Sequence, residues 1–78
     1  IEENIIQIYP NPNNGKFYID LNEKKGILSI IDSHGKIVLK KELNQSLTLN
    51  LDDLNEGLFL INLKGDNFNV SKKMLIRK

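Results

Sequence analysis

The sequence predicts an all-β fold, a compact sandwich of two antiparallel sheets made from about seven short strands. Apolar residues recur at every second position through most of the chain, which is the period of a strand with one buried face. Glycine, proline, asparagine and aspartate interrupt this pattern at intervals of about 8 to 12 residues, as turns do in sandwiches and barrels. No segment of about ten residues or more shows the apolar period of a helix.

Length and composition limit the chain to one small domain, residues 1–78. The absence of cysteine leaves no disulfide, thiolate nucleophile or cysteine-based metal site. Eleven basic and ten acidic residues give a net charge of +1, so we expect no binding to nucleic acid. The longest apolar run, residues 58–61, is too short to span a bilayer, so we expect no membrane insertion. The chain opens on Ile1 without a methionine or a signal-peptide pattern, and we expect it to be cut from a larger secreted protein.

The first two strands are predicted at residues 5–9 and 16–21, on either side of a Tyr-Pro-Asn-Pro-Asn-Asn-Gly segment. Pro10 and Pro12 exclude a helix or a central strand, and we expect them to hold the chain extended as it leaves the first strand. The Asn-Gly pair that ends at Gly15 then makes the turn. Gly15 is predicted to have a positive φ, a conformation that favours glycine.

The third and fourth strands are predicted at residues 27–32 and 36–43, joined by a tight hairpin. Asp32 caps this turn from its first position, and Gly35 takes the left-handed position. A fifth strand follows at residues 46–51, where leucine alternates with polar residues.

Residues 52–57 are predicted to form a crossing loop anchored by Leu54, in which a short helical turn is possible. The sixth and seventh strands are predicted at residues 58–64 and 68–77. Lys72 interrupts the apolar face of the seventh strand, as inward-facing lysines do at protected sheet edges. The predicted core residues are Phe17, Ile19, Leu28, Ile30, Val38, Leu49, Phe59, Ile61 and Ile76.

Candidate catalytic and cofactor-binding residues are scarce, and we predict neither an enzyme nor a bound cofactor. His34 is the single histidine and occupies a turn between Ser33 and Gly35, where adjacent side chains point apart and form no dyad. The glycines are spread one per turn rather than gathered in a phosphate-binding loop. A metal ion at Asp52 and Asp53 is left open, although the ligand spacing of an EF-hand loop is missing.

Four short motifs follow one another along the chain. Residues 9–15 read Tyr-Pro-Asn-Pro-x-x-Gly, and residues 32–36 read Asp-x-x-Gly-Lys. Residues 54–59 read Leu-x-x-Gly-x-Phe, and a Lys-Lys-apolar strand closes the chain at residues 72–78. With this ordered set, the chain resembles the type A C-terminal sorting domain of the type IX (Por) secretion system of Bacteroidetes bacteria. The signal residues that this resemblance implies are Tyr9, Pro10, Asn11, Pro12, Gly15, Asp32, Gly35, Lys36, Gly57, Phe59, Lys72, Lys73, Ile76 and Lys78.

The resemblance implies an immunoglobulin-like sandwich that directs an attached N-terminal cargo through the outer membrane. The implied partners are the outer-membrane type IX translocon and its sortase-like and shuttle components. The cargo would reach the cell surface or the medium, and the domain would then be cut away. This chain departs from the family at Phe59, where the family usually has a tyrosine that could bond back to the preceding loop, like the tyrosine corner of immunoglobulin-like domains.

Recognition through the last strand is the mechanism that this reading favours. The strand could pair with a receptor strand, with Lys72, Lys73 and Lys78 exposed near one edge to orient it. A small carbohydrate-binding or adhesion module of a secreted protein is the alternative. It would need a row of exposed aromatic residues, for which Tyr18 alone is a poor candidate.

Overall fold

A computed structural model describes residues 6–78 of the chain. Within this part there are seven strands and no helix. The first predicted strand was placed from Ile5, which lies outside the described residues. The strands are β1 (Gln7–Tyr9), β2 (Lys16–Asp20), β3 (Gly26–Ile31), β4 (Ile37–Leu43), β5 (Leu47–Asn50), β6 (Gly57–Lys64) and β7 (Asn69–Ile76).

The strands form two packed antiparallel sheets, so the predicted fold class is confirmed. One sheet has three strands in the order β1-β2-β5, and the other has four in the order β4-β3-β6-β7. The chain crosses between the sheets after β2, β4 and β5, which is the connection pattern of an immunoglobulin-like sandwich. The outer strands are therefore β1 and β5 in one sheet and β4 and β7 in the other.

The core lies between the sheets and follows the alternation seen in the sequence. Of the nine predicted core residues, eight are buried, whereas Val38 is half-buried against the core. Val38 lies beside an irregularity in the pairing of β3 with β4, where the chain departs from strict alternation. Further buried apolar residues complete this core: Ile6, Leu21, Leu43, Leu63 and Met74.

The loop between β5 and β6 is a turn, and the possible helical turn does not form there. The amide of Leu54 donates to the carbonyl of Leu51 at 3.1 Å, and the Leu54 side chain packs against the core as expected. Another loop, after β2, has an unexpected backbone: Asn22 and Glu23 have φ values of 53° and 66°. The polar residues between the second and third strands indicate a turn, but not which of its residues are left-handed.

Lysines on the inner face mark both outer strands of the four-stranded sheet. Lys72 of β7 stands directly opposite Ile61, and Lys41 of β4 stands opposite Leu28. Opposite residues of an antiparallel pair share a face, so both lysines are on the core side. Charged residues in these positions discourage a further strand from pairing with the edge.

Candidate recognition surface

The four sequence motifs meet at one end of the sandwich, which we call the motif end (residues 10–15, 32–36, 51–57 and 73–78). The register of the strands brings them together. Gly57 begins β6 opposite Ile76 at the end of β7, and Asn13 forms an isolated parallel bridge with Ile76. The hairpin after Ile31 lies at this end too, because Ile31 pairs with Leu60 of β6.

Asn11 uses its side chain to bond with the outer edge of β7. Its Nδ2 donates to the carbonyl oxygen of Lys73 at 3.0 Å, and its Oδ1 accepts from the amide of Leu75 at 3.0 Å. A carboxamide carries the same donor and acceptor as a peptide group. Asn11 therefore takes the place of one residue of a neighbouring strand.

Asn13 continues this pairing with its backbone. Its amide donates to the carbonyl of Leu75 at 3.0 Å, and its carbonyl accepts from the amide of Arg77 at 2.7 Å. The side chain is buried and holds the loop itself, with Nδ2 bonded to the carbonyl of Pro10 and Oδ1 accepting from the amide of Gly15. We call Asn11 and Asn13 together the asparagine clamp. Asn13 was not among the predicted signal residues. The one signal in the sequence is its spacing of two positions from Asn11, which places both residues on the same side of an extended segment.

The clamp covers much of the strand edge that was expected to pair with a receptor strand. Four backbone groups on the outer edge of β7 are bonded to the clamp: the carbonyls of Lys73 and Leu75 and the amides of Leu75 and Arg77. They cannot pair with a receptor strand while the clamp is closed. The clamp does not cover the other groups that point away from β6, which are those of Asn69 and Ser71 and the amide of Lys73, as the alternation of an antiparallel strand requires.

The proline segment bends instead of running extended, so that prediction is wrong. The backbone bends at residues 10–12, and the Tyr9–Pro10 and Asn11–Pro12 bonds are both cis. An extended segment would stay beside the three-stranded sheet. The bend instead carries the chain across to β7, where Asn11 and Asn13 find their partners.

Gly15 has a φ of 112°, which confirms the predicted positive value. Its carbonyl accepts from the amide of Leu51 at 2.7 Å, which ties the motif segment to the end of β5. A Cβ atom at this position would lie 2.9 Å from the carbonyl oxygen of Leu51. Glycine is therefore required here both by the backbone conformation and by the close approach.

Asp32 closes the hairpin between β3 and β4. Its Oδ1 accepts from the amides of His34 and Lys36, each at 2.9 Å, and its carbonyl accepts from the amide of Gly35 at 3.0 Å. The hydrogen bond from the Lys36 amide, helped by that from His34, lowers the pKa of the Asp32 carboxyl below its ordinary value. Gly35 has a φ of 83°, as predicted. The side chains of His34 and Lys36 are exposed.

Three residues of the sequence motifs support the fold rather than face a partner: Gly57, Phe59 and Ile76. Phe59 is buried, stands opposite Met74, and points into the core as predicted. Gly57 starts β6 with a φ of 148°, opposite the buried Ile76. These residues shape the motif end from inside, and none of the three presents a large side chain to a partner.

The three lysines of the last motif differ from one another in exposure. Lys73 and Lys78 are exposed as predicted, and the Nζ of Lys78 donates to the carbonyl of Asp52 at 2.7 Å. Lys72 is half-buried, so the expectation that all three are exposed is wrong for this residue. Its place on the inner face of β7 explains this, because the side chain must pass the edge of the core to reach water. Lys72 and Lys73 line a shallow groove with Tyr9 and Asn11.

Two tyrosines stand side by side on the outer face of the three-stranded sheet. Tyr9 of β1 is directly opposite Tyr18 of β2, with ring centroids 5.5 Å apart and ring planes inclined by 42°. Tyr9 is 47% exposed. A cross-strand aromatic pair stabilises the sheet by about 0.2–1 kcal/mol. Because the planes are inclined, the two rings do not form one flat surface.

The described residues form neither a cluster that could bind a metal ion nor a helix that could span a membrane. Within residues 6–78, no three histidine or acidic side chains gather where they could hold a metal ion. The same residues contain no helix of the length and apolar character needed to cross a bilayer. Asp52 and Asp53, left open as a cation site by the sequence, are exposed.

A small β-sandwich whose four sequence motifs gather at one end has the form of a recognition domain. Comparison with known families agrees with this class. A model of the family described as the secretion system C-terminal sorting domain matches residues 7–77. The chain therefore belongs to this family, the sorting domains of the type IX secretion system. A search of curated proteins found no match.

Family membership defines the general role. A sorting domain acts as a signal for the type IX machinery and for export of a cargo protein toward the outer membrane or the extracellular space. The motifs that identified the family from the sequence are those that meet at the motif end.

Proposed function

We propose that this domain is a non-catalytic signal that directs an attached N-terminal cargo through the outer membrane by the type IX secretion system. The observation that carries the proposal is the meeting of four motifs, distant in sequence, at the motif end of the sandwich. A receptor that sorts many cargoes must read a surface that the sorting domains share, and this end is where the shared residues lie.

The partner is the outer-membrane translocon together with its shuttle and sortase-like components. Lys73 and Lys78 are the exposed lysines of the last motif, and they orient the receptor by charge. After delivery the sortase-like component removes the domain, and the cargo stays on the cell surface or enters the medium.

The remaining signal residues act by holding this surface in shape. Gly15, Asp32 and Asn11 close turns or cover an edge, and Phe59 and Ile76 fill the core beneath. In this proposal, the pattern that identifies the family is mainly a folding pattern. Recognition depends on the few exposed side chains that this folding brings together.

The test is a fluorescent reporter that carries an inner-membrane signal peptide in front and this domain behind. The fusion is expressed in a type IX-competent host and in the same strain without the outer-membrane translocon. We expect the reporter at the surface or in the medium of the competent strain, and in the periplasm of the other. Equal distribution in the two strains would contradict the proposal.

The Tyr9–Tyr18 pair is the observation that favours the alternative, a carbohydrate-binding or adhesion module. It supplies two neighbouring aromatic rings where the sequence indicated one. The same fusion protein decides this point: retention on polysaccharide columns that is lost in Tyr18→Ala would support the binding module. Export that is unchanged in Tyr18→Ala would separate the two roles.

A further inference from the structure

Five aliphatic side chains form a patch on the outer face of the four-stranded sheet, at the motif end. We call it the outer patch: Ile31, Ile37, Leu58, Leu60 and Leu75. In the strand register, Ile37 stands opposite Ile31, Ile31 opposite Leu60, and Leu58 opposite Leu75, so the side chains are neighbours on one face. Ile37 is 51% exposed, Leu58 48% and Leu60 37%.

The fold does not need these side chains in its core. Their sequence neighbours Ile30, Phe59 and Ile61 point inward and are buried. The middle of the same outer face is polar, where Ser29, Asn62 and Ser71 form the next row and Asn62 bonds to Ser71 at 3.0 Å. Aliphatic residues clustered on an exposed face mark an interaction site more often than scattered ones do.

Cations flank the outer patch along both outer strands. Lys73 of β7 stands directly opposite Leu60, in the same cross-strand row. Arg77 follows two positions after Leu75, and Lys40 of β4 stands opposite Ser29 in the next row. The acidic Glu56 precedes Leu58 by two positions. The β7 border of the patch is therefore positive, whereas Asp32, Asp53 and Glu56 line a pocket beside Leu58.

The blocked edge of β7 makes this face the accessible part of the last strand. The asparagine clamp occupies the outward backbone groups from the Lys73 carbonyl to the Arg77 amide, and Lys72 obstructs strand addition from the core side. A partner that contacts the last motif of the closed domain must approach Lys73 and Leu75 from the outer face.

We propose that the outer patch is the docking surface for a component of the secretion machinery, with an apolar centre and acidic groups opposite Lys73 and Arg77. This inference rests on the sorting function proposed above. A second copy of the chain fits less well, because face-to-face pairing would bring together the lysines of both edges. An apolar centre with a charged border is the usual arrangement of a protein interface.

The test uses the reporter fusion and compares two threonine variants on the same sheet face. Leu58→Thr with Leu60→Thr removes the centre of the outer patch, and Ile27→Thr is the control. Ile27 is 43% exposed on the same face, opposite Lys64 at the far end of the sheet. Threonine keeps a good strand propensity in each variant. Thermal unfolding is measured for both, and Ile37→Thr serves as the second patch variant if the double variant unfolds.

We expect reporter export to fall by about tenfold or more in the patch variants, as for loss of central interface residues. The reporter should collect in the periplasm, and Ile27→Thr should export normally. Lys73→Glu should reduce export as well, since it opposes the acidic partner.

Normal export by a folded patch variant would overturn the inference while leaving the sorting function intact. Failure of the unaltered domain to export would instead contradict the proposed function. A concentration-dependent dimer of the isolated chain that is abolished by Leu58→Thr would assign the patch to a second copy and overturn the choice of partner.

Discussion

Asn11 does at the edge of β7 what a peptide group does inside a sheet. Its carboxamide gives one bond to Lys73 and takes one from Leu75, across 62 positions of sequence in the first case. A side chain can do this without adding a strand, so the edge is covered while the chain stays free to turn at Gly15. The asparagine of the Tyr-Pro-Asn-Pro motif has a specific structural task here.

Replacing Asn11 with alanine should lower the free energy of unfolding by about 1–2 kcal/mol, because two hydrogen bonds at a partly solvated edge are lost. Urea unfolding of the purified domain measures this. Asn14→Ala is the matched control, since Asn14 is exposed in the same loop and accepts only a 3.3 Å bond from the amide of Lys16. Equal losses in the two variants would show that Asn11 has no special role.

Valine substitutions at Gly15 and Gly35 would distinguish the cost of a left-handed backbone from the cost of a steric clash with a neighbouring atom. Both have positive φ, but a Cβ at Gly15 meets the carbonyl of Leu51, whereas a Cβ at Gly35 meets nothing within 4 Å. Valine at either position should cost about 1–3 kcal/mol for the left-handed backbone. We expect Gly15→Val to be clearly the more destabilising of the two in urea unfolding. A larger loss for Gly35→Val would contradict this explanation.

At the scale of elements, β7 is the strand that depends most on its surroundings. It pairs with β6 on one side, and the clamp covers half of its other side. The hairpin between β3 and β4 is different, because its stability is local. Asp32 organises that turn through bonds to residues two and four positions away.

Part of the domain's free energy of unfolding should depend on pH, because the Asp32 carboxyl in this hairpin titrates. The pKa of Asp32 is lowered in the folded state, chiefly by the hydrogen bond from the Lys36 amide. The ionised carboxylate therefore contributes stability above the unfolded pKa of about 4, and this contribution is lost as the pH falls through the folded value. We expect Asp32→Asn to be less stable than the unaltered domain at pH 7. The difference should shrink at the acid end of a series of urea unfolding curves, and a difference that grows toward low pH would contradict the argument.

At the scale of the whole molecule, the sandwich brings together four motifs that lie far apart in sequence. Motif residues that face the core or close a turn support the fold. The exposed ones are left for recognition, and Lys73 and Lys78 are the exposed lysines of the last motif. Lys72 no longer belongs with these two, because it is half-buried on the inner face.

Changing Lys73 and Lys78 to glutamine should reduce reporter export, because the receptor loses two orienting charges. Lys25→Gln with Lys64→Gln is the control, since both lysines are exposed at the opposite end of the sandwich and the charge change is the same. We expect Lys73→Gln alone to change stability by no more than about 0.5 kcal/mol, as surface substitutions usually do. Equal export by both double variants would show that recognition does not depend on these charges.

Much of the fold could be read from residues close together in sequence. Period-two alternation identified the inward faces of Phe17, Leu28 and Phe59, because a strand places successive side chains on opposite faces whatever it pairs with. The turns at Gly15 and Gly35 were predictable for a similar reason, since the need for a positive φ is satisfied within a few residues. The ordered motifs were enough to indicate the family.

The tertiary structure alone decided which surfaces these elements share. Nothing in the sequence shows that Asn11 and Asn13 bond to β7, because an asparagine has the same donors and acceptors in any turn and its partners lie more than sixty positions away. The outer patch could not be predicted from the sequence for a related reason. Alternation separates Ile31, Leu60 and Leu75 from the core, but only the register between strands makes them neighbours. Register depends on the packing of both sheets at once, and so the edge cover and the patch emerge only when the chain is folded.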